Sequence, residues 1–227
     1  MHYTSVLFDL DGTLLDTLGD LTAAMNRTLT RHGLPERTRQ QTRHGLPERT
    51  RQQMRAALGN GARRLMELSV PAGTDGALFE TLLAEYNADY AAHCRIETAP
   101  YPGVDALLRQ LHAQGRKLAI VSNKPDEAVR ALRAEFFADT VPIAVGEKQG
   151  IRRKPAPDTL LTAMAQLGAE RTSTVYVGDS EVDIATARAA GLPCISVLWG
   201  FRDRDVLEQA GAQQFAADAG ELAGLLD

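Results

Sequence analysis

Four short stretches of the chain collect carboxylates, a hydroxyl and cations: Asp9-Leu10-Asp11-Gly12-Thr13, Ser122-Asn123-Lys124, Arg152-Arg153-Lys154-Pro155 and Gly178-Asp179-Ser180-Glu181-Val182-Asp183. Alternate residues of an extended segment point the same way, so Asp9 and Asp11 can project together while Leu10 packs inward. With Asp179 and Asp183 added, four negative charges would share one crevice. Such a cluster is stable only if protons are retained or a cation neutralises it. A hard divalent ion with oxygen ligands, Mg²⁺ above all, answers that need, whereas the absence of a His or Cys cluster disfavours zinc. A phosphoryl group suits the same parts. Lys154 and a divalent cation would cancel its charge, the backbone amides of Gly12 and Thr13 would cradle its oxygens, and the Ser122 hydroxyl would donate to another. One carboxylate would be left to attack phosphorus and the second to move protons.

Separate parts of the chain must be brought together for this, and the apolar pattern says how. Ser5–Phe8, Lys117–Val121, Val141–Val145, Thr174–Val177 and Pro193–Leu198 are short and rich in Val, Ile and Leu. The spacing predicts helices between most of them, at Asp105–Ala113, Asp126–Ala134, Pro157–Leu167 and Asp183–Ala190. Repeated βα units of this kind fold as an open, twisted parallel sheet with helices on both faces, an α/β Rossmann-like core. In such sheets ligands sit beyond the carboxyl ends of the strands, and the four polar stretches each follow a strand. The long segment from Leu18 to about Ala92 reads as helical, with breaks at two Gly-Leu-Pro elements, at Gly59-Asn60-Gly61 and at Val70–Gly76. The expected division is a core of residues 1–16 and 100–227 with an inserted all-helical domain at 17–99.

Taken in order, DLDGT, VSNK, RRKPAPD and GDSEVD resemble the four signature motifs of the haloacid dehalogenase-like hydrolases, and the match covers the whole expected core. The resemblance implies that Asp9 is a nucleophile that becomes phosphorylated and Asp11 the general acid and base. It implies that Ser122 and Lys154, with Asn123 beside them, hold the phosphoryl, Lys154 also restraining Asp9. Mg²⁺ would be held by Asp9, the Asp11 main-chain carbonyl and Asp179, with Asp183 a ligand or just behind. The helical insertion would be the family's mobile cap, which closes over the site and excludes water. Members that dehalogenate lack an acid two residues after the nucleophile, so Asp11 points to phosphate chemistry. GNGARRL at Gly59–Leu65 and the later VLWGFRD are similar to phosphoglycolate phosphatases and their near neighbours. Asn60, Gly61 and Arg63 or Arg64 could then meet a small anionic group such as a substrate carboxylate. The expected substrate is a small phosphorylated metabolite. Two other readings stay open: a sugar-phosphate mutase, which glucose 1-phosphate product analysis would separate, and a binding-only member.

The second of these is motivated by a tandem duplication, because TRHGLPERTRQQ at Thr30–Gln41 recurs letter for letter at Thr42–Gln53. Two polar dodecamers cannot build a solenoid. Each holds three arginines and one glutamate, a basic island in a chain of net charge −4. Each Gly-Leu-Pro is expected to end one helix and begin the next, giving an extra short helix or a bulging loop. The lengthened hinge also admits exchange of caps between protomers, as monomer or dimer. The acidic balance argues against a nucleic-acid partner, and the duplicate lacks interleaved aromatics. No apolar run reaches the roughly 18 residues that span a bilayer; the longest, Ala189–Phe201, is broken by Gly191, Pro193 and Gly200. No signal peptide is visible at the start, so a cytoplasmic location is expected. Cys94 and Cys194 read as reduced core thiols, Trp199 as core or rim packing, and none of the five histidines as catalytic.

Overall fold

A computed structural model of the chain describes residues 3–33 and 61–227. Two compact units result, Met1–Asp16 with Ala99–Asp227, and Thr17–Thr98. The first is built on a six-stranded sheet of β1 (Ser5–Phe8), β4 (Lys117–Pro125), β5 (Ile143–Glu147), β6 (Thr174–Gly178), β7 (Cys194–Val197) and β8 (Gln214–Ala216). Their order across the sheet is β5-β4-β1-β6-β7-β8, and every pairing is parallel. The chain thus winds outward from β1 in one direction and then, from β6, in the other. The carboxyl ends of β1 and β6 flank the switch point where such sheets bind ligands. A second ladder of two residues each pairs β2 (Leu15–Asp16) with β3 (Ala99–Pro100), at the points where the chain leaves and re-enters this unit.

The central strands are apolar without alternation because both faces are covered. Leu7, Ala119, Val121, Val145 and Tyr176 pack with α6 (Asp158–Leu167) and α7 (Glu181–Ala190) in one buried cluster. Their neighbours Val6, Phe8, Leu118, Ile120, Val175 and Val177, equally buried, turn to the other face. The remaining helices of the unit are α4 (Val104–Ala113), α5 (Asp126–Phe136), α8 (Arg204–Gln209) and α9 (Ala219–Leu226). Against the sequence reading, β5 begins at Ile143 instead of Val141, and β8, α8 and α9 are additions. Lys117–Val121 extends to Pro125, its register against β5 shifting between Val121 and Pro125. Ser122-Asn123-Lys124 therefore lies inside the last stretch of β4 and not after it.

In the second unit α1 (Leu18–Arg31), α2 (Gly61–Glu67) and α3 (Gly76–His93) are the described elements, with α3 packed against both others. Helix α1 stops at Arg31, and Gly33 takes φ 63°, the stop expected of the first Gly-Leu-Pro. The remainder of the duplication, Thr42–Gln53 included, and Gly59 and Asn60 lie outside the described residues. Two carboxylates organise this unit. Asp20 in α1 accepts from the backbone N–H groups of Ile96, Glu97 and Thr98 at 3.1, 2.9 and 2.9 Å and from the Thr98 hydroxyl at 2.7 Å. Asp89 in α3 accepts from Arg27 at 2.8 and 2.6 Å and also from Arg31, tying α3 to α1. Among the described residues no helix is long and apolar enough to cross a membrane. Cys94 and Cys194 are both unbridged.

Candidate active site

Asp9 follows β1 directly, its backbone N–H donating to Val177 O of β6 at 2.8 Å, so the sheet itself sets its position. Asp179 follows β6, and Asp183 is the third residue of α7. There Asp183 accepts from the Ser180 backbone N–H at 3.1 Å and from its hydroxyl at 2.5 Å, one arm of a capping box that fixes the carboxylate at the helix start. Asp9, Asp179 and Asp183 are buried, and one oxygen from each lies within 4.8 Å of the other two. Lys154, 3% exposed, enters from the loop after β5. Its Nζ donates to Asp9 Oδ1 at 2.8 Å, Asp183 Oδ1 at 2.7 Å and the Tyr176 hydroxyl at 3.0 Å, and Tyr176 in turn donates to Asp183 Oδ1 at 2.8 Å. All three ammonium protons are accounted for.

The charges do not balance, and the titration behaviour says so. Burial, then the Asp183 and Asp179 charges, push Asp9 well above the usual carboxylate range despite Lys154. Burial and Asp183 raise Asp179 to about 7. Burial would raise Asp183 too, but Lys154 and the bonds from Ser180 and Tyr176 hold it below its ordinary value. Burial opposes the charge on Lys154, yet Asp183 and Asp9 hold its proton more tightly than usual. Lys154 thus pairs directly with two of three buried carboxylates, and the charges of Arg202 and Lys154 offset the third only in part, which leaves a net deficit of positive charge.

The other residues singled out in the sequence take several places. The Asp11 carboxylate is not in the buried trio: it pairs with Lys124 Nζ at 2.8 Å and receives the Ser122 hydroxyl at 3.5 Å. Asn123 holds the main chain of Lys154. Its carboxamide bonds the Lys154 main chain at both ends, Nδ2 to O at 3.0 Å and Oδ1 from N–H at 2.8 Å, which sets where the lysine leaves its loop. The Gly12 N–H donates to Leu15 O at 2.9 Å and is committed within its own loop. What Gly12 contributes is room: at φ 87° it passes so close that a Cβ would overlap the Asp179 carboxylate and come within 2.8 Å of the Phe201 ring. The Thr13 hydroxyl donates to Asp179 Oδ1 at 3.3 Å. In the helical unit Gly61 opens α2, Arg64 pairs with Glu67 at 3.0 Å, and Arg63 holds Glu80 at 2.8 and 2.9 Å with its guanidinium 5.3 Å over Phe79.

Sequence reasoning missed Lys124 and Tyr176 as members of this network. A signal existed for each, a cation directly behind a hydroxyl and an amide at a strand end, and a phenol between two valines of a short strand. The donor set of the buried trio is oxygen only, which fits a hard divalent cation.

Comparison with known proteins agrees with this arrangement. The family model of haloacid dehalogenase-like hydrolases matches residues 6–197. A phosphoglycolate phosphatase of Xanthomonas campestris pv. campestris is 35% identical over 199 residues, 87% of this chain and 84% of the relative. An N-acetylmuramic acid 6-phosphate phosphatase of Pseudomonas aeruginosa is 30% identical over 229 residues, 100% of this chain and 96% of the relative. A crystal structure from Lactobacillus delbrueckii subsp. bulgaricus, provisionally described as a phosphoglycolate phosphatase, superposes with a TM-score of 0.89 at 35% identity, covering 100% of this chain and 99% of that one.

Proposed function

The chain belongs to the haloacid dehalogenase-like hydrolase family, and from that premise we propose that it is a phosphatase that hydrolyses a small phosphomonoester through a phosphorylated Asp9. The observation that carries this reading is the meeting of Asp9, Asp179 and Asp183 around Lys154 at the switch point of the sheet. Lys154 grips Asp9 Oδ1, which leaves Oδ2 to attack phosphorus. The Oδ2–P bond forms as the bond from phosphorus to the leaving oxygen breaks, and Asp11, which enters this step as the protonated acid, gives that oxygen its proton. Asp11, now a carboxylate, takes a proton from water as the water oxygen attacks phosphorus. The bond to Asp9 breaks, and inorganic phosphate departs. Lys154 and the Ser122 hydroxyl are placed to bind phosphoryl oxygens as charge develops.

Asp9, Asp179 and Asp183, with the Asp11 main-chain carbonyl, would hold Mg²⁺. When bound, the cation offsets the charge of the trio and the phosphoryl and favours the ionised form of Asp9. Replacing Asp9 with Asn should abolish Mg²⁺-dependent hydrolysis of p-nitrophenyl phosphate, and substantial turnover by that variant refutes the mechanism. Phosphoglycolate is the favoured substrate, following the 35%-identical relative. A sugar phosphate is the second reading, since the relative that spans the whole chain is a phosphatase of N-acetylmuramic acid 6-phosphate. The two separate by kcat/KM: phosphoglycolate should lead by at least about tenfold, roughly 1.4 kcal/mol of transition-state binding, and the reverse order assigns the sugar phosphate.

A further inference from the structure

The turn after β7 packs against Asp179 and against the segments that carry the acidic site, although none of its side chains has a part in the chemistry. Trp199 Nε1–H donates to the Thr13 carbonyl oxygen at 3.0 Å. Gly200 packs where a Cβ would overlap the Asp179 side chain and lie 2.5 Å from Gly12 O. The Phe201 N–H donates to Asp179 Oδ2 at 2.7 Å. Arg202, its side chain 6% exposed, forks onto both oxygens of Glu181 at 2.6 and 3.1 Å. Four consecutive residues thus bind the loop after β1, the segment from the end of β6 to the first residue of α7, or both. Asp179 is held at Oδ2 by Phe201 and at Oδ1 by Thr13, and Thr13 is itself held by Trp199. Neither donor to Asp179 carries a charge, and the nearby charges of Arg202 and Lys154 offset its burial only in part.

We infer that the turn Trp199–Arg202 is a positioning element for the cation site, in which the Trp199 indole fixes the Asp11–Leu14 loop against Asp179 and so sets divalent-cation affinity. This rests on the reading of the acidic trio as a cation site. Groups that orient a metal ligand from behind typically change affinity about 10–100-fold when removed. Trp199 is the one tryptophan of the chain, so its emission reports this turn alone.

The test titrates MgCl₂ into the full chain while following tryptophan emission and, separately, heat by calorimetry. Wild-type emission should change saturably with the same midpoint as the heat. Trp199→Phe, which keeps the ring and loses the N–H, should bind Mg²⁺ about tenfold more weakly by calorimetry, with its metal-free melting temperature recorded to separate loss of fold from loss of aim. Asp179→Asn should lose the heat signal and the emission change together. Unchanged affinity in Trp199→Phe, or constant wild-type emission while the heat saturates, overturns the inference and leaves the cation site standing. Equal Mg²⁺ binding by Asp179→Asn and wild type overturns the cation site itself, and the inference with it.

Discussion

Each unit buries an acidic centre, and the two are compensated in opposite ways. In the helical unit one carboxylate, Asp89, receives two guanidinium groups. Burial alone would raise it, but Arg27 and Arg31 bring it below its ordinary value. In the α/β unit three carboxylates cluster beside Lys154, which pairs with two of them, and Asp9 and Asp179 are driven upward by burial and by the charge of Asp183. The first centre is complete as it stands and serves to join α1 to α3. The second lacks positive charge, so its free energy falls when a cation arrives, and perturbation of that kind is what marks a reactive site. Both are buried and hydrogen-bonded, so burial does not distinguish structure from chemistry here, whereas charge balance does.

Removing the cation at each centre should expose the difference most. Lys154→Met leaves Asp9 and Asp183 buried without their ammonium, and breaking a buried pair from one side costs roughly 3–5 kcal/mol. For a chain of this size that is about 10 °C in Tm, read by calorimetry in metal-free buffer, with activity lost as well. A Tm within a degree or two of wild type would mean that the lysine does not hold the trio, and the contrast between the centres would fail.

The two centres should also respond to pH with opposite signs. Asp179 has a folded value of about 7, above the ~3.9 of an unfolded aspartate. Its contribution to stability is therefore whole below about pH 4 and lost as pH rises through 7, on the order of 4 kcal/mol. Asp89 is lowered, so its contribution is present above pH 4 and lost only as pH falls through its folded value. Hydrogen exchange of the metal-free protein, corrected for intrinsic rates, should show peptides of β6 losing protection between about pH 4 and pH 7 while those of α3 do not. Adding Mg²⁺ should remove the β6 slope, since cation binding stabilises the state it binds and displaces the proton. Parallel slopes in the two units would mean that charge balance does not tell them apart.

Much of the α/β unit was legible because its strands are covered on both faces: in SVLF and TVYV a small hydroxyl residue is followed by three apolar ones, and an apolar run between turns has few other readings. Gln214–Ala216 was not, being three residues at the sheet edge with Gln214 exposed. Ser122-Asn123-Lys124 looked like loop because it is polar, yet β4 carries it by slipping register. The acidic residues of the site could be picked out by type and spacing. Lys154 apart, which the motif resemblance set beside Asp9, the supporting links could not, because those of Trp199 to Thr13, Asn123 to Lys154 and Tyr176 to Lys154 join segments far apart in sequence, and only the strand order decides which of these meet. Asp89 was equally hidden, one acid among many on a helix until α1 brought two arginines to it.

The smallest expected effect falls on that centre. Asp89→Asn removes the charge and keeps the shape, and the cations it releases are not trapped: the side chains of Arg27 and Arg31 are 36% and 49% exposed and can turn to water. Exposed partners of this kind are screened, so the loss should be about 1 kcal/mol, and for a chain of this size a shift of 2–4 °C in Tm. Calorimetric Mg²⁺ affinity should be unchanged, since none of the residues bonded to Asp89 belongs to the acidic trio. Lys154 has no such exit, being buried with every proton engaged, and that asymmetry is why the two substitutions should differ severalfold in cost. Were Asp89→Asn to destabilise the chain as much as Lys154→Met, solvent access to the orphaned charge would not be what sets the cost, and the helical unit would have to be regarded as holding an ion pair as strained as the one beside β1.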